Sequence, residues 1–302
     1  VKEGQASRTA EYVALFRAIE SALPARRRLF EDPFARSFLR PSLRAVVALC
    51  RVPGVADLLA CFIDRRWAGA RSSAVARTRF IDDTIEAALG RGIEQLVILG
   101  AGFDCRAYRL DDLSRLSLFE VDHPDTLARK QIILARASVD VPSEVRFVGI
   151  DFKWGDLDRA MEAAGWSEQA PTFILWEGVT TYLTEAAVDT TLRWCARAAP
   201  GSILLFTYVD RAVIDEPRAF AGTERLRATL KAAGEQWTFG LDPAALASFL
   251  SGRGLQLEQD IGSADYRARY IPQVDRIMHG YEFYRIAIAR VPSQTERESE
   301  RG

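Results

Sequence analysis

The sequence predicts an α/β fold: a mostly parallel, seven-stranded sheet with an N-terminal helical cap and an insertion after the fifth strand. Three observations carry that prediction. Apolar residues recur at helical spacing through the first ninety positions. From about residue 93, short and nearly continuous apolar runs alternate with helix-compatible segments, as buried parallel strands do. Each of the first four runs then stops at a glycine or an acid.

In the cap, Tyr12, Val13, Phe16, Ile19 and Leu23 mark one helix that ends before Pro24. Glu31-Asp32-Pro33 opens a second piece, and a longer helix over about residues 72–89 is stopped by Gly90 and Gly92. The most apolar stretch, residues 43–63, carries Arg44, Arg51 and Asp57 with Pro53-Gly54 near its middle. That pattern predicts two short helices and a turn, not a membrane span.

The strand-like runs are 96–99, 117–121, 145–150, 172–176 and 203–208. Their separations suit strand–helix–strand crossovers. A polar helical stretch (215–233), a helix opened by Asp242-Pro243, a weak strand (255–261) and an aromatic strand (282–289) complete the order. The expected organisation is a single domain over 1–302. The cap covers 1–92, the core 93–291 with its insertion at about 210–245, and a polar, disordered tail 292–302.

Composition narrows the partners. A formal net charge of −1 gives no global pull toward nucleic acid or an anionic membrane. Four scattered cysteines lack CxxC spacing and only two histidines occur, so neither a disulfide framework nor a metal is expected. The polar N-terminal residues lack a signal-peptide core, which makes the cytoplasm the expected location.

Ligands of open parallel sheets bind beyond the carboxyl ends of the strands. Here those ends carry Gly100-Ala101-Gly102-Phe103-Asp104, Asp122, Asp151 and Glu177-Gly178. Gly100 and Gly102 allow the backbone to bend tightly and approach a ligand. Asp122, about twenty residues on, suits a ribose diol. At the end of the glycine motif, where a dinucleotide fold usually places glycine, stands Cys105, preceded by Asp104. A carboxylate repels a pyrophosphate but suits the sulfonium and ammonium of S-adenosylmethionine. Asp151 and Glu177 extend that preference, so the expected cofactor is the methyl donor, with S-adenosylhomocysteine as its product.

Arg77-Thr78-Arg79-Phe80, Leu99 to Asp104, Phe119-Glu120-Val121-Asp122 and Glu177-Gly178-x-x-x-Tyr182-Leu183 together resemble the leucine carboxyl methyltransferase family. Glu31-Asp32-Pro33-Phe34 is similar to its N-terminal element, and the resemblance runs to about Pro292. It implies a Rossmann-like class I methyltransferase fold. It also implies that Arg77 binds the cofactor's methionine carboxylate and that Gly100, Ala101 and Gly102 pack against the cofactor. Asp122 would hold the ribose, Asp151 and Phe152 would meet the adenine, and Glu177 would lie near the methionine amino group; Asp104, His123 and Gly178, beside these positions, are further expected cofactor contacts. Arg17 is a rough counterpart of the family's N-terminal lysine.

A carboxylate acceptor is already ionised at neutral pH, whereas a phenol needs a base or a metal. His123, preceding Pro124, reads as a helix cap, and His279 as a surface or core residue. The reading therefore leans toward a small-molecule carboxylate, such as a natural-product or polyketide acid. Its contacts would come from Phe16, Tyr182, Tyr208 and Tyr270, with Tyr266 as a further aromatic. No catalytic residue is assigned; Tyr182, Tyr208 and Arg106 are the candidates, and Arg106, Arg267 or Arg269 would hold an anionic acceptor. Two alternatives stay open: a protein C-terminal carboxyl methyltransferase, and a nicotinamide-dependent oxidoreductase or non-catalytic cofactor-binding module. The oligomeric state is left open.

Overall fold

The computed structural model describes residues 8–66, 69–152, 155–216, 220, 223–233, 235–274, 281–293 and 295–296. Helices α1 (Arg8–Ser21), α2 (Pro41–Leu49), α3 (Val55–Arg66) and α4 (Ala70–Leu89) precede the first strand. Pro41 occupies the first turn of α2, where a missing N–H costs nothing. The turn from α2 to α3 falls at Pro53-Gly54, with Gly54 at φ +82°. Asp32 organises the loop after α1. One carboxylate oxygen accepts the N–H groups of Phe34 and Ala35, and the other accepts Arg17 Nε at 2.8 Å.

The core then runs β1 (Gln95–Leu99), α5 (Arg106–Arg109), β2 (Ser117–Asp122), α6 (Pro124–Arg136), β3 (Val145–Gly149), α7 (Leu157–Ala163), β4 (Thr172–Trp176), α8 (Glu185–Cys195) and β5 (Ile203–Val209). After it come α9 (Ala212–Asp215), α10 (Thr223–Ala233), α11 (Leu246–Ser251), β6 (Gln256–Gly262), α12 (Ser263–Val274) and β7 (Tyr284–Arg290). Of the expected polar helix at 215–233, α10 forms the part from Thr223 to Ala233, and α9 ends at Asp215. Strand order is β3-β2-β1-β4-β5-β7-β6, with β7 antiparallel to both neighbours. The order reverses between β1 and β4, which opens a crevice at their carboxyl ends.

Alternation within the strands builds two apolar layers. Val97, Leu99, Phe119, Val121, Ile174 and Trp176 pack with Met161, Val188 and Leu246 from α7, α8 and α11. Leu96, Ile98, Leu118, Phe173 and Leu205 pack on Phe80, Ile81 and Ile85 of α4 and Tyr266 and Tyr270 of α12. A third cluster, including Leu15, Ile19, Val47 and Ile63, joins α1–α3 to Phe103 and Leu134 of the core. The edge strand β3 is the most exposed of the parallel set, having a neighbour on one side only.

At the start of the polar tail, hydrogen bonds meet on Glu296. Arg290 grips Glu296 through both terminal nitrogens, at 2.8 and 2.6 Å, and the Ser293 N–H donates to the same carboxylate at 2.8 Å. Residues 294 and 297–302 lie outside the described residues. Among the described residues no helix is long and apolar enough to cross a membrane.

Candidate active site

A cavity of about 920 Å³ opens over the carboxyl ends of β1–β5 and is walled by α1–α4 and residues of the insertion. Its floor is the bend after β1. The N–H groups of Gly100 and Ala101 both donate to Val121 O, at 2.7 and 3.0 Å, which turns the chain sharply. Gly100 takes φ +69° and a Cβ there would lie 2.2 Å from Val179 Cγ2, so glycine is required twice over. At Gly102, φ +42°, the missing Cβ lies 4.0 Å from Asp122 Oδ2, keeping clear the space beside that acid.

Backbone donors aim the Asp122 carboxylate. Gly102 N–H donates to Oδ2 at 2.7 Å and His123 N–H to Oδ1 at 2.6 Å. The Thr126 side chain also bonds this carboxylate, and the lone-pair capacity that remains lets it accept from a ligand. Burial raises its pKa, and the two backbone bonds act against the rise. His123 caps α6, its Nδ1 accepting the Asp125 N–H at 3.3 Å, and it lines the cavity as well.

Across the crevice, one buried guanidinium connects three carboxylates. Arg106 donates from Nε to Asp82 Oδ1 (2.7 Å) and from Nη1 to Glu177 Oε2 (3.0 Å), and it also binds Asp104. Arg109 donates to both oxygens of Asp82 at 2.7 Å. Arg77, on α4, meets the other oxygen of Glu177 through Nε at 2.7 Å, with its guanidinium 5.7 Å from the Tyr284 ring centre. Burial opposes ionisation of Asp104, but Arg106 and Lys130 outweigh it and hold the carboxyl at about 2. Glu177 is likewise lowered against its burial, by Arg77 and Arg106. Both acids therefore stand ionised at neutral pH. Behind Asp122, Glu120 and Lys130 form a wholly buried pair at 2.7 Å.

The cavity brings together every residue expected to touch the cofactor: Arg77, Gly100, Ala101, Gly102, Asp104, Asp122, His123, Asp151, Phe152, Glu177 and Gly178. Phe16, Arg17, Tyr182 and Tyr208 line it too. Arg17 also donates from Nη2 to Phe103 O at 2.5 Å, tying the cap to the glycine loop.

Other expectations need correction. Arg106 lies behind the cavity wall, 3% exposed and engaged by carboxylates, so it positions acids and does not meet an acceptor. Tyr270 is away from the cavity, its hydroxyl donating to Asp83 Oδ2 at 2.6 Å under α4. Tyr266 is buried beside it in the same apolar layer. The Tyr208 hydroxyl donates to Asp260 Oδ1 at 2.8 Å and accepts from Arg285. Burial and the Asp260 charge push that phenol up, which opposes its use as a base. Arg267 binds Glu282 and Arg269 stacks on Tyr270 and Phe80, both outside the cavity. His279 lies outside the described residues.

Several lining residues escaped the sequence reading: Thr9, Tyr12, Leu230, Glu235, Tyr281 and Tyr284. Thr9 donates to Glu235, a 3% exposed carboxylate from the insertion. Tyr284 was signalled weakly, as part of an aromatic strand. Glu235 follows a polar helix and carries no motif. Among the described residues no group of His, Cys, Asp or Glu is placed to hold a metal ion.

Six strands run one way and β7 the other, with a bare-backbone bend, a backbone-aimed acid after β2 and ionised acids at the switch point. Those features define a class I, S-adenosylmethionine-dependent methyltransferase. Comparisons with known proteins agree. A solved structure described as a "putative methyltransferase" from Thermobifida fusca matches with a TM-score of 0.62 at 16% identity, covering 97% of both chains. A "Putative S-adenosyl-L-methionine-dependent methyltransferase" of Frankia alni is 34% identical over 251 residues, covering 83% of this chain and 82% of its own. Another of that name, from Rhodococcus jostii, is 39% identical over 184 residues, 60% of this chain and 58% of its own. Residues 10–196 match the model of the leucine carboxyl methyltransferase family, and the chain belongs to that family. The nicotinamide-dependent alternative falls with that membership.

Proposed function

We propose that this protein transfers a methyl group from S-adenosylmethionine to the carboxylate of a small, largely apolar molecule. The observation that carries the reading is the chemistry of the cavity wall. Among the described residues its one imidazole, His123, spends Nδ1 on capping α6. Burial raises the phenols of Tyr182, Tyr208 and Tyr284. An acceptor ionised at neutral pH needs neither as a base. At about 920 Å³ the cavity lies at the upper end of the roughly 300–1,000 Å³ range of small-molecule sites, which suits a cofactor and a small acceptor together.

The residues present fit the cofactor. Asp122 would accept from the ribose diol, and Asp151 and Phe152 would meet the adenine. Arg77 would hold the methionine carboxylate, with Glu177 and Asp104 facing the ammonium and sulfonium. When bound, the cofactor supplies an electrophilic methyl on a positively charged sulfur. The chain's own task is to align the acceptor oxygen roughly 3 Å from that carbon and to exclude water. Phe16 and the apolar side chains of α2 and α3 serve the second need. Arg106 keeps the acids charged before anything binds, so little reorganisation is required.

Glu235 supports a second reading. A buried carboxylate beside Thr9 on the same wall suits a hydroxyl acceptor, whose proton it would take. The product separates the two. Incubation with methyl-labelled S-adenosylmethionine and a panel of apolar carboxylic acids and phenols should give label that mild base releases. Base-stable label confined to the phenols would replace the carboxylate reading with the hydroxyl one.

A further inference from the structure

Of the six large apolar side chains standing exposed among the described residues, five belong to the cap. They are Tyr12 on α1, Leu49 on α2, Val52 in the turn that follows, and Leu58 and Phe62 on α3. Single exposed apolar residues are ordinary, whereas five in one part of the chain mark a surface with a use. Tyr12 and Phe62 line the cavity although 38% and 62% exposed, so the cavity reaches the surface between α1 and α3. From there Phe16, Leu43, Val46 and Leu59 continue the apolar wall inward. Leu58, one turn before Phe62 and 73% exposed, carries the track outward along α3.

We propose that this cleft between α1, α2 and α3 binds the tail of the acceptor, and that the substrate class is an acid carrying an extended hydrocarbon chain. The proposal rests on the carboxylate reading and adds the shape of the molecule behind the carboxylate. Continuity argues for it, because one wall joins the acids at the strand ends to the exposed aromatics of the cap. The wall is aliphatic and aromatic, which rewards length and does not demand particular polar groups.

The test is a chain-length series. Straight-chain acids from butanoate to dodecanoate are titrated into the whole protein saturated with S-adenosylhomocysteine, beside a matched series of alkylphenols. Affinity for the acids should rise roughly threefold to fourfold per added methylene until the cleft is filled. Phe62→Ser and Leu58→Ser remove exposed side chains and leave the core intact. Both should flatten the series by an order of magnitude or more at the long end, while S-adenosylhomocysteine affinity stays at the wild-type value. Length dependence in the phenols alone would sink the carboxylate reading and keep the cleft. No length dependence in either series would overturn the cleft. So would a Phe62→Ser variant that only changes vesicle binding or oligomeric state.

Discussion

The sheet wall and the cap wall of the cavity are held by different forces. On the sheet wall each acid has a fixed partner: Asp122 has two backbone N–H groups, and Asp104 and Glu177 share Arg106. On the cap wall, Phe16, Leu43 and Leu59 are placed by helix packing, with Val46 and Phe62 lining the same cavity. Directional bonds pre-aim charge for a cofactor of constant chemistry, whereas a packed apolar surface constrains only size and polarity. One wall therefore specifies a molecule, and the other a class of molecules.

Breaking the sheet wall should cost most at Arg106. Arg106→Met leaves Asp104 without its paired cation and takes one of two guanidinium partners from Asp82 and from Glu177, and the chain should lose about 3–5 kcal/mol of stability in urea titrations at pH 7. The effect has a definite pH sign. Asp104 and Glu177 have lowered pKa values in the fold, so their contribution is fully present above the ordinary carboxylate range and is lost on acidification, for Asp104 toward about 2. In the variant those acids protonate readily. The gap between wild type and variant should therefore narrow as pH falls from 7 to 3. A gap that keeps its size throughout would assign Arg106 to packing alone.

The next effect is on binding. Asp122→Ala should weaken S-adenosylhomocysteine by about 1.5–3 kcal/mol in calorimetry, the worth of hydrogen bonds to a charged acceptor. Phe62→Ser on the cap wall should leave that affinity alone, which sharpens the contrast. Gly100→Ala tests the bend: a Cβ at φ +69°, 2.2 Å from Val179 Cγ2, should cost about 1–3 kcal/mol of stability. Smallest of all, Tyr270→Phe removes one hydrogen bond to Asp83 and should cost about 1 kcal/mol, with cofactor affinity unchanged. Impaired binding there would return Tyr270 to the site.

The same contrast sets how much could be read in advance. Strand ends are local in sequence, so Gly100, Asp122, Asp151 and Glu177 announced themselves by following apolar runs, and all line one cavity. The mostly parallel, seven-stranded sheet followed from the alternation and the resemblance together, whereas the strand order and the reversed β7 came only with the fold. The acceptor side was less legible because it is assembled from distant segments. Thr9 meets Glu235 across more than two hundred residues, a contact that no local pattern encodes. Arg106 looked like an anion-binding residue because its type and place near the glycine loop fit that role. Only the fold shows Asp82, from α4, already beside it. Tyr270 misled for the opposite reason: an aromatic at helical spacing looks the same whether it faces a pocket or a core layer.

A structure of the protein with S-adenosylhomocysteine bound tests the central claim most directly. The ribose hydroxyls should lie on the Asp122 carboxylate, with the amino acid end between Arg77 and Glu177. A ligand seated elsewhere, or one whose ribose leaves Asp122 untouched, would contradict the account.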